Sequence, residues 1–407
     1  MSRKQKIYYS VFFSCLVFSI VMTAVTGGSI LRDQLLFYDA KDTFMDFFNS
    51  LKHSSIDRPY DYGVFYPPVA YLFYKVFAAF IPYRIVDTGG KAIRNSIQGQ
   101  VSLIVYYVIF IALLIWVLFA FCKDKRSRIF TILAVITSAP FLFLYERGNL
   151  VLPTFILTVL FFLWKDDPKA WKRELALVAL ALAFGFKLYP AIFGILLIKD
   201  RKHREAVRCS IYAIVLFAVP FLLMGGAGAV ASWAKGLSSA AGGGTGLYMG
   251  PGCKVSFKNT YTVLIVILIT RKMTSAATAA AGILAWITAG AGLVSAFLTK
   301  DRIRCITLLC CVMIGIPSIS YQYMMVFMAI PLILFLENGQ KKGVREYIML
   351  ILFILMTVVL TLNVRQIGGI MKGQHDISVL HLAESLSVVA MTWFLSFESV
   401  LSKVRRK

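Results

Sequence analysis

The stretch IYYSVFFSCLVFSIVMTAVTGGSIL, residues 7–31, contains no charged side chain. An α-helix needs about 20 consecutive apolar residues to cross a bilayer, so this stretch predicts a transmembrane helix. Similar runs recur along the whole chain, which is 59% hydrophobic and only 15% charged. Backbone groups in lipid must be hydrogen-bonded within the segment, and the runs do not alternate in polarity, so we predict helices rather than barrel strands. The sequence therefore predicts an all-α polytopic integral membrane protein.

Short basic clusters separate the apolar runs and account for most of the net charge of +23. This pattern is typical of cytoplasmic loops rather than of a nucleic-acid surface. Placing the N-terminal basic residues inside puts both termini in the cytoplasm and makes residues 32–100 and 225–273 outer loops. The second of these loops is rich in glycine, which favours a flexible, lid-like segment. The map contains about 11–13 transmembrane helices, counting re-entrant or interfacial helices on the outer side.

Three apolar segments do not fit a simple crossing. Residues 66–82 are short, and we interpret them as a re-entrant or surface-lying helix. Residues 259–270 fit an interfacial helix capped by Asn259 and ended by Arg271 and Lys272. Residues 174–198 lie between two basic clusters, so we predict two half-length helices that meet at a break at residues 186–190.

An acidic and aromatic stretch, DTFMDFFNSLKHSSIDRPYDYGVFYPP, follows the first apolar run at residues 42–68. Acids held near lipid are candidates for a functional site, although any one of them could simply cap a short helix. The spacing predicts a short amphipathic helix with Asp42 as its N-cap and Asp46 inside it. The carboxylates of this region are Asp33, Asp39, Asp42, Asp46, Asp57 and Asp61.

The few remaining ionisable groups lie toward the outer side of the map: Arg58, Glu146, Arg147, Lys187, Arg365, His375 and Asp376. Lys187 sits within an apolar run beside Pro190, where it either binds an anion or pairs with an acid of the first loop. Glu146 and Arg147 precede Gly148-Asn149 in a tight turn. This turn is either an ion pair with a capping Asn or a substrate contact.

Carboxylates, cations and aromatic rings together suit group transfer from an anionic leaving group. The acid takes a proton from an acceptor hydroxyl, and the cations stabilise charge that develops on phosphate. The sequence has no HExxH, GxSxG or nucleotide fingerprint. These residues leave two alternatives open: a transporter or flippase of a lipid-linked or anionic substrate, and a non-catalytic polymer-assembly or scaffold protein.

The motifs resemble those of the GT-C glycosyltransferases, and more closely glycosyltransferase family eighty-seven, which is polyprenol-phosphate mannosyltransferase-like. They read Asp46-Phe47, Pro59-Tyr60-Asp61, Tyr66-Pro67-Pro68, Gly148-Asn149, Lys187-Leu188-Tyr189-Pro190 and Asn259-Thr260-Tyr261-Thr262. Two departures concern the presumed sugar site. The second turn is usually closer to Gly-Gln-x-Asn, and the interfacial helix more often begins Asn-Gln-Ser.

The resemblance implies one transmembrane domain over residues 1–407 in the plasma membrane, with the first outer loop, 32–100, as the catalytic loop. It implies inverting transfer of a mannose-like hexose from a polyprenyl-phosphate donor to a glycan or glycolipid hydroxyl at the extracytoplasmic face. No cofactor is implied, and a divalent metal stays open. By position Asp46 is the general base, while Lys187, Arg147 and Arg58 are expected to bind the donor phosphate. The residues expected to bind substrate are Asp42, Asp61, Tyr66, Glu146, Asn149, Tyr189 and Asn259.

Overall fold

The computed structural model describes residues 1–36, 40–242, 254–271, 274–338, 343–361 and 379–404. Several residues named above lie outside this part of the chain: Asp39, residues 243–253 of the second outer loop, Lys272, Arg365, His375 and Asp376. The side chain of Asp33 is likewise outside the description.

Helices form almost all of the described structure, and the β pairing within it is one isolated bridge between Lys254 and Tyr321. In chain order the α-helices are α1 (Arg3–Val25), α2 (Ser29–Leu35), α3 (Met45–Ser54), α4 (Pro68–Ala78), α5 (Tyr83–Thr88), α6 (Gly90–Asn95), α7 (Ile97–Phe121), α8 (Arg128–Ile136), α9 (Ala139–Arg147), α10 (Val151–Trp164), α11 (Ala170–Phe186), α12 (Gly194–Lys199), α13 (His203–Leu223), α14 (Gly226–Gly242), α15 (Phe257–Ile265), α16 (Ser275–Leu298), α17 (Arg302–Gly315), α18 (Ala329–Glu337), α19 (Val344–Thr357) and α20 (Val379–Val404). The predicted all-α polytopic class is confirmed.

Five described helices are long and apolar enough to cross a membrane: α1, α7, α13, α16 and α20. A sixth crossing results if α8 and α9, which are bent by 50° relative to each other, are counted as one span. The described helices that are long and apolar enough to cross are therefore fewer than the 11–13 spans predicted. The difference arises because other apolar runs are cut into shorter helices, at Pro68–Ala78, Val151–Trp164, Tyr189–Lys199, Phe257–Thr270 and Gln322–Glu337.

The chain divides into two compact units, each built from separated stretches. The first unit comprises Met1–Ala40, Cys122–Phe143 and Gly244–Lys407, and the second comprises Lys41–Phe121 and Leu144–Gly243. That residues 1–407 form a single transmembrane domain stays a prediction.

The core of the first unit is built around α17, whose residues from Cys305 to Gly315 are all buried. A helix that is apolar on every side has no face suited to water, so it is stable only when other helices surround it. Helices α16 and α20 pack against α17, and α15 packs against α16. Near the N-terminus of this unit, the Lys4 ammonium donates to Glu346 Oε2 at 3.0 Å, which ties α1 to α19.

In the second unit, α10, α11 and α13 pack in sequence, and α3 packs against α4 and α6. The predicted break in residues 174–198 is confirmed, because α11 ends at Phe186 and Lys187 is extended, with φ −145° and ψ 128°. A 3₁₀ helix, Tyr189–Phe193, then leads into α12. The break places Lys187 between two helical segments rather than inside one.

Two expectations about the outer segments need correction. Residues 226–242 form α14, although their glycine content predicted a flexible loop. The N-cap of α15 is Ser256, whose Oγ accepts from the Asn259 backbone N–H at 3.3 Å. Asn259 lies in the first turn and its amide donates to the Lys254 carbonyl at 2.7 Å, so its side chain holds the preceding backbone instead of capping the helix. The end of the helical segment at Arg271 is as predicted.

Candidate functional site

Helix α3 carries Asp46 in its first turn, as the amphipathic pattern predicted. The helix begins at Met45, and its N-cap is Phe44, in the left-handed region with φ 60°. Asp42 is therefore not the N-cap, and that prediction is wrong. The Phe44 backbone N–H donates to the Glu146 carbonyl at 2.8 Å, which joins the start of α3 to the end of α9. This long-range contact sets where α3 starts, and no local pattern could reveal it.

The two acids of this region share one cation. Arg147 donates from Nη2 to Asp46 Oδ1 at 2.6 Å and lies 2.9 Å from Asp42 Oδ2. Its Nη1 also donates to the Asp42 backbone carbonyl at 3.0 Å. The Asp46 side chain is 22% exposed and that of Asp42 is 37% exposed, so neither carboxylate is fully buried.

Asn149 and Gly148 complete the support of Asp46. The Asn149 side-chain amide donates from Nδ2 to Asp46 Oδ2 at 2.6 Å. Its side-chain oxygen, Oδ1, accepts from the Val151 N–H at the start of α10. Gly148 has φ 62°, and a Cβ there would lie 2.9 Å from Phe47 Cβ. Glycine is therefore required at this turn on both conformational and steric grounds. Asn149 thus holds the turn before α10 and orients the acid at once, and its predicted role in substrate binding stays a prediction.

Lys187 lies near this acid without forming a close ion pair to a described residue. Its Nζ sits 3.9 Å from the centroid of the Tyr66 ring, and the ammonium interacts electrostatically with Asp46. The aromatic face partly replaces the water that a half-buried ammonium loses. Both interpretations of Lys187, an anion site and pairing with an acid of the first loop, therefore stay predictions.

Phe47, the neighbour of Asp46 in α3, packs against two other buried aromatic side chains. The Phe47 ring lies 5.8 Å from that of Tyr74 and 5.0 Å from that of Tyr106. The Tyr106 hydroxyl donates to the Asn149 backbone carbonyl at 3.0 Å. Tyr74 is fully buried on α4. Sequence reasoning missed Tyr74, although a polar hydroxyl in the apolar helix α4 was a usable signal.

The backbone around Tyr66 is held from two sides. The Tyr60 hydroxyl donates to the Tyr66 carbonyl at 2.9 Å, and the Trp233 indole N–H donates to the Phe65 carbonyl at 3.0 Å. Trp233 belongs to α14, and a Cβ on Gly236 of the same helix would lie 2.9 Å from the Val64 carbonyl oxygen. The sequence did not point to Trp233, because the glycine-rich segment around it was interpreted as a loop.

The other predicted site residues are less closely connected to Asp46. Arg58 and Asp61 are exposed at the 3₁₀ helix Pro59–Tyr62, while Glu146 is buried beside Arg147 and interacts with it electrostatically. Tyr189 begins the 3₁₀ helix that follows Lys187. Asn259 belongs to the first unit, whereas the other predicted site residues belong to the second. Their predicted roles in binding stay predictions.

These helices define a polytopic α-helical membrane protein with a cluster of acids and cations in its second unit. The family model described as glycosyltransferase family 87 matches residues 65–319, which is more than half of the chain. The chain belongs to glycosyltransferase family 87. The resemblance stated from the motifs is thereby confirmed, and the family indicates a glycosyltransferase rather than a transporter or flippase. No curated protein and no solved structure matches the chain. Asp42 and Asp46 precede the matched stretch, so proposals about them rest on the geometry given above.

Proposed function

We propose that this glycosyltransferase moves a mannose-like hexose from a polyprenyl-phosphate sugar to an acceptor hydroxyl, with inversion at the anomeric carbon. The observation that carries the proposal is the Asp46 carboxylate, which is oriented by Arg147 and Asn149 and lies within electrostatic range of Lys187. One base and one cation are the groups that a single displacement at a sugar phosphate requires.

Asp46 takes the proton of the acceptor hydroxyl as the acceptor oxygen attacks the anomeric carbon. The bond from that carbon to the phosphate oxygen breaks on the opposite face, and its electron pair leaves with polyprenyl phosphate. A single displacement of this kind inverts the anomeric configuration. Both Asp46 oxygens accept hydrogen bonds, which fixes the direction in which the carboxylate can receive the proton.

Lys187 is the best placed of the three expected phosphate ligands. Arg147 is engaged by Asp42 and Asp46, so we assign it to positioning the base, and Arg58 is exposed at the surface. The Lys187 ammonium lies over the face of the Tyr66 ring. A phosphate anion would add a full negative charge to this weaker attraction. The break after α11 keeps the backbone around this cation outside a continuous helix, a geometry that suits a cavity rather than a lipid-facing surface.

The reaction is tested with membranes that contain the protein and a radiolabelled polyprenyl-phosphate hexose. We expect the label to leave the donor and appear in a product whose glycosidic linkage has the opposite anomeric configuration. Membranes containing Asp46→Asn serve as the matched control for endogenous transferases. The proposal would be contradicted if membranes with the parent protein consumed donor no faster than the Asp46→Asn membranes. A product with retained anomeric configuration would also contradict it.

The proposal places the site at the extracytoplasmic face of the plasma membrane, with both termini in the cytoplasm. Single cysteines at positions 62 and 204, in a variant without native cysteines, test this with a membrane-impermeant maleimide. Both positions are exposed, so they differ in sidedness rather than in access to solvent. We expect position 62 to react in intact cells and position 204 only after permeabilisation. Labelling of position 204 in intact cells would overturn the map.

A further inference from the structure

Tyr66 lies in an irregular segment that has no regular backbone hydrogen-bond pattern of its own. Residues 63–67 connect the 3₁₀ helix Pro59–Tyr62 to α4 and lie outside both helices. Pro67 and Pro68, which follow Tyr66, have no backbone N–H to donate. Backbone carbonyls in such a segment need partners from elsewhere in the fold. The position of the Tyr66 ring therefore depends on contacts that other elements make.

Helix α14 supplies one of these contacts through Trp233. The Trp233 indole N–H donates to the Phe65 carbonyl at 3.0 Å. The indole also packs edge-to-face against Phe217 of α13, with 5.1 Å between the ring centroids. Gly225 and Gly226, at the junction of α13 and α14, have φ 111° and 62°, values that favour glycine and let the chain turn there. Trp233 is thus packed against α13 while its hydrogen bond holds the residue before Tyr66.

Gly236 lets α14 approach the same segment closely. It lies three residues after Trp233 and therefore on the same face of the helix. A Cβ at Gly236 would lie 2.9 Å from the Val64 carbonyl oxygen and 3.1 Å from that of Gly63. A Cβ at Gly228 of the same helix would meet no atom within 4 Å. A side chain at position 236 would therefore push α14 away from this segment, whereas one at position 228 would not.

The ring that this segment positions lies against the Lys187 ammonium. Lys187 Nζ is 3.9 Å from the centroid of the Tyr66 ring, and the attraction between a cation and a ring depends on that distance. The Tyr60 hydroxyl donates to the Tyr66 carbonyl at 2.9 Å, so two successive carbonyls are each held by a side chain. All of these residues belong to the second unit. A shift of the Phe65–Tyr66 backbone would therefore change the position of the ammonium.

We propose that Trp233 positions the donor-phosphate site, because its hold on the Phe65 carbonyl fixes the Tyr66 ring against Lys187. This inference rests on the proposed function, which takes Lys187 as the ligand of the phosphate. Trp233 acts through Tyr66 and Lys187, which makes it a positioning residue. Asp46 is oriented by other side chains, so the base should keep its geometry when Trp233 is changed.

Trp233→Phe keeps an aromatic ring and removes the indole N–H. The probe is radiolabelled polyprenyl phosphate, whose equilibrium binding is measured with full-length protein in lipid nanodiscs. We expect Trp233→Phe to raise the Kd by about fivefold, the usual effect of losing one hydrogen bond, with the number of binding sites per protein molecule unchanged. In transfer assays KM for the donor should rise, while kcat at saturating donor should stay near that of the parent.

A pair of glycine variants on α14 provides a matched comparison. Gly236→Ala and Gly228→Ala raise the helix propensity of α14 by the same substitution. Only Gly236→Ala crowds the Val64 carbonyl, so only this variant should raise the Kd. Trp393→Phe is a second control, because it also removes an indole hydrogen bond, to the Tyr261 hydroxyl in the first unit. Binding by Gly228→Ala and Trp393→Phe should not change.

A merely structural role of Trp233 makes a different forecast. It would lower the number of sites per protein molecule and leave the Kd of the remaining sites unchanged, and that result would overturn the inference. In the Lys187→Met background, Trp233→Phe should cause no further loss, because the cation through which it acts is gone. A loss of the same size in that background would also overturn the inference.

The same binding data separate this inference from the proposed function. Weaker binding by Lys187→Met together with a parent-like Kd for Trp233→Phe would overturn the role of Trp233 alone. Parent-like binding by Lys187→Met, or no saturable binding by the parent protein, would overturn both the role of Trp233 and the phosphate assignment. Binding is measured without transfer, so a failure of the transfer reaction would be seen separately.

Discussion

Asp46→Asn is expected to lower the turnover of the purified protein by a factor on the order of 10²–10⁴, the usual loss when a general base is removed. Asn has nearly the same shape as Asp, and its carbonyl oxygen can keep the hydrogen bonds that Asp46 Oδ2 accepts from Asn149 and Arg147 Nε, while its NH2 group replaces Oδ1 and loses the bond from Arg147 Nη2. It cannot take the acceptor proton. Affinity for the polyprenyl-phosphate donor should therefore survive, and the loss should appear in kcat rather than in donor binding.

Asp42→Asn is the matched control for this variant. Asp42 carries the same charge, lies against the same Arg147 guanidinium and is the more exposed of the two acids. The Asp42 carboxylate pairs with Arg147, whereas that of Asp46 pairs with Arg147 and also accepts from the Asn149 amide. We expect Asp42→Asn to cost much less than Asp46→Asn. Turnover of Asp46→Asn within a few-fold of the parent would remove Asp46 from the role of base and direct attention to Asp42 or Asp61.

Lys187→Met is expected to weaken binding of polyprenyl phosphate by about 30-fold or more, which corresponds to about 2 kcal/mol. Met fills a similar volume without the charge, so the phosphate loses its cation in a half-buried place where water screens poorly. The variant should remain folded, because no close ion pair to a described residue is broken and an apolar side chain suits the neighbouring aromatic ring. Equilibrium binding of radiolabelled polyprenyl phosphate to protein in nanodiscs measures the effect.

Two further variants separate local charge from net charge. Lys75→Met removes an exposed ammonium from α4 and should leave binding unchanged. Lys187→Arg keeps the charge but replaces a compact ammonium with a planar guanidinium, and partial binding is expected. If Lys187→Met binds polyprenyl phosphate as tightly as the parent, the phosphate assignment is wrong. Equal losses in Lys75→Met and Lys187→Met would instead indicate a nonspecific effect of charge.

The sequence by itself determined the features that depend on neighbouring residues. Uninterrupted apolar runs established an all-α membrane protein, because backbone groups in lipid must be hydrogen-bonded within a segment. Pro190 and Lys187 in an apolar run predicted the break at the end of α11, because proline cannot continue a helix. The spacing of apolar and acidic residues placed Asp46 in a short helix. The motifs at Tyr66-Pro67-Pro68 and Lys187-Leu188-Tyr189-Pro190 pointed to the correct family.

The tertiary structure alone decided which side chains meet. Arg147 and Asp46 are 101 residues apart, and sequence reasoning expected that arginine at the donor phosphate. The start of α3 depends on the carbonyl of Glu146, so a local capping rule chose Asp42 wrongly. Helix α14 packs against the 3₁₀ helix Pro59–Tyr62, and such packing can outweigh the low helix propensity of glycine. The break after α11 follows from local propensity, whereas ion pairs and the start of α3 depend on contacts between residues distant in the chain.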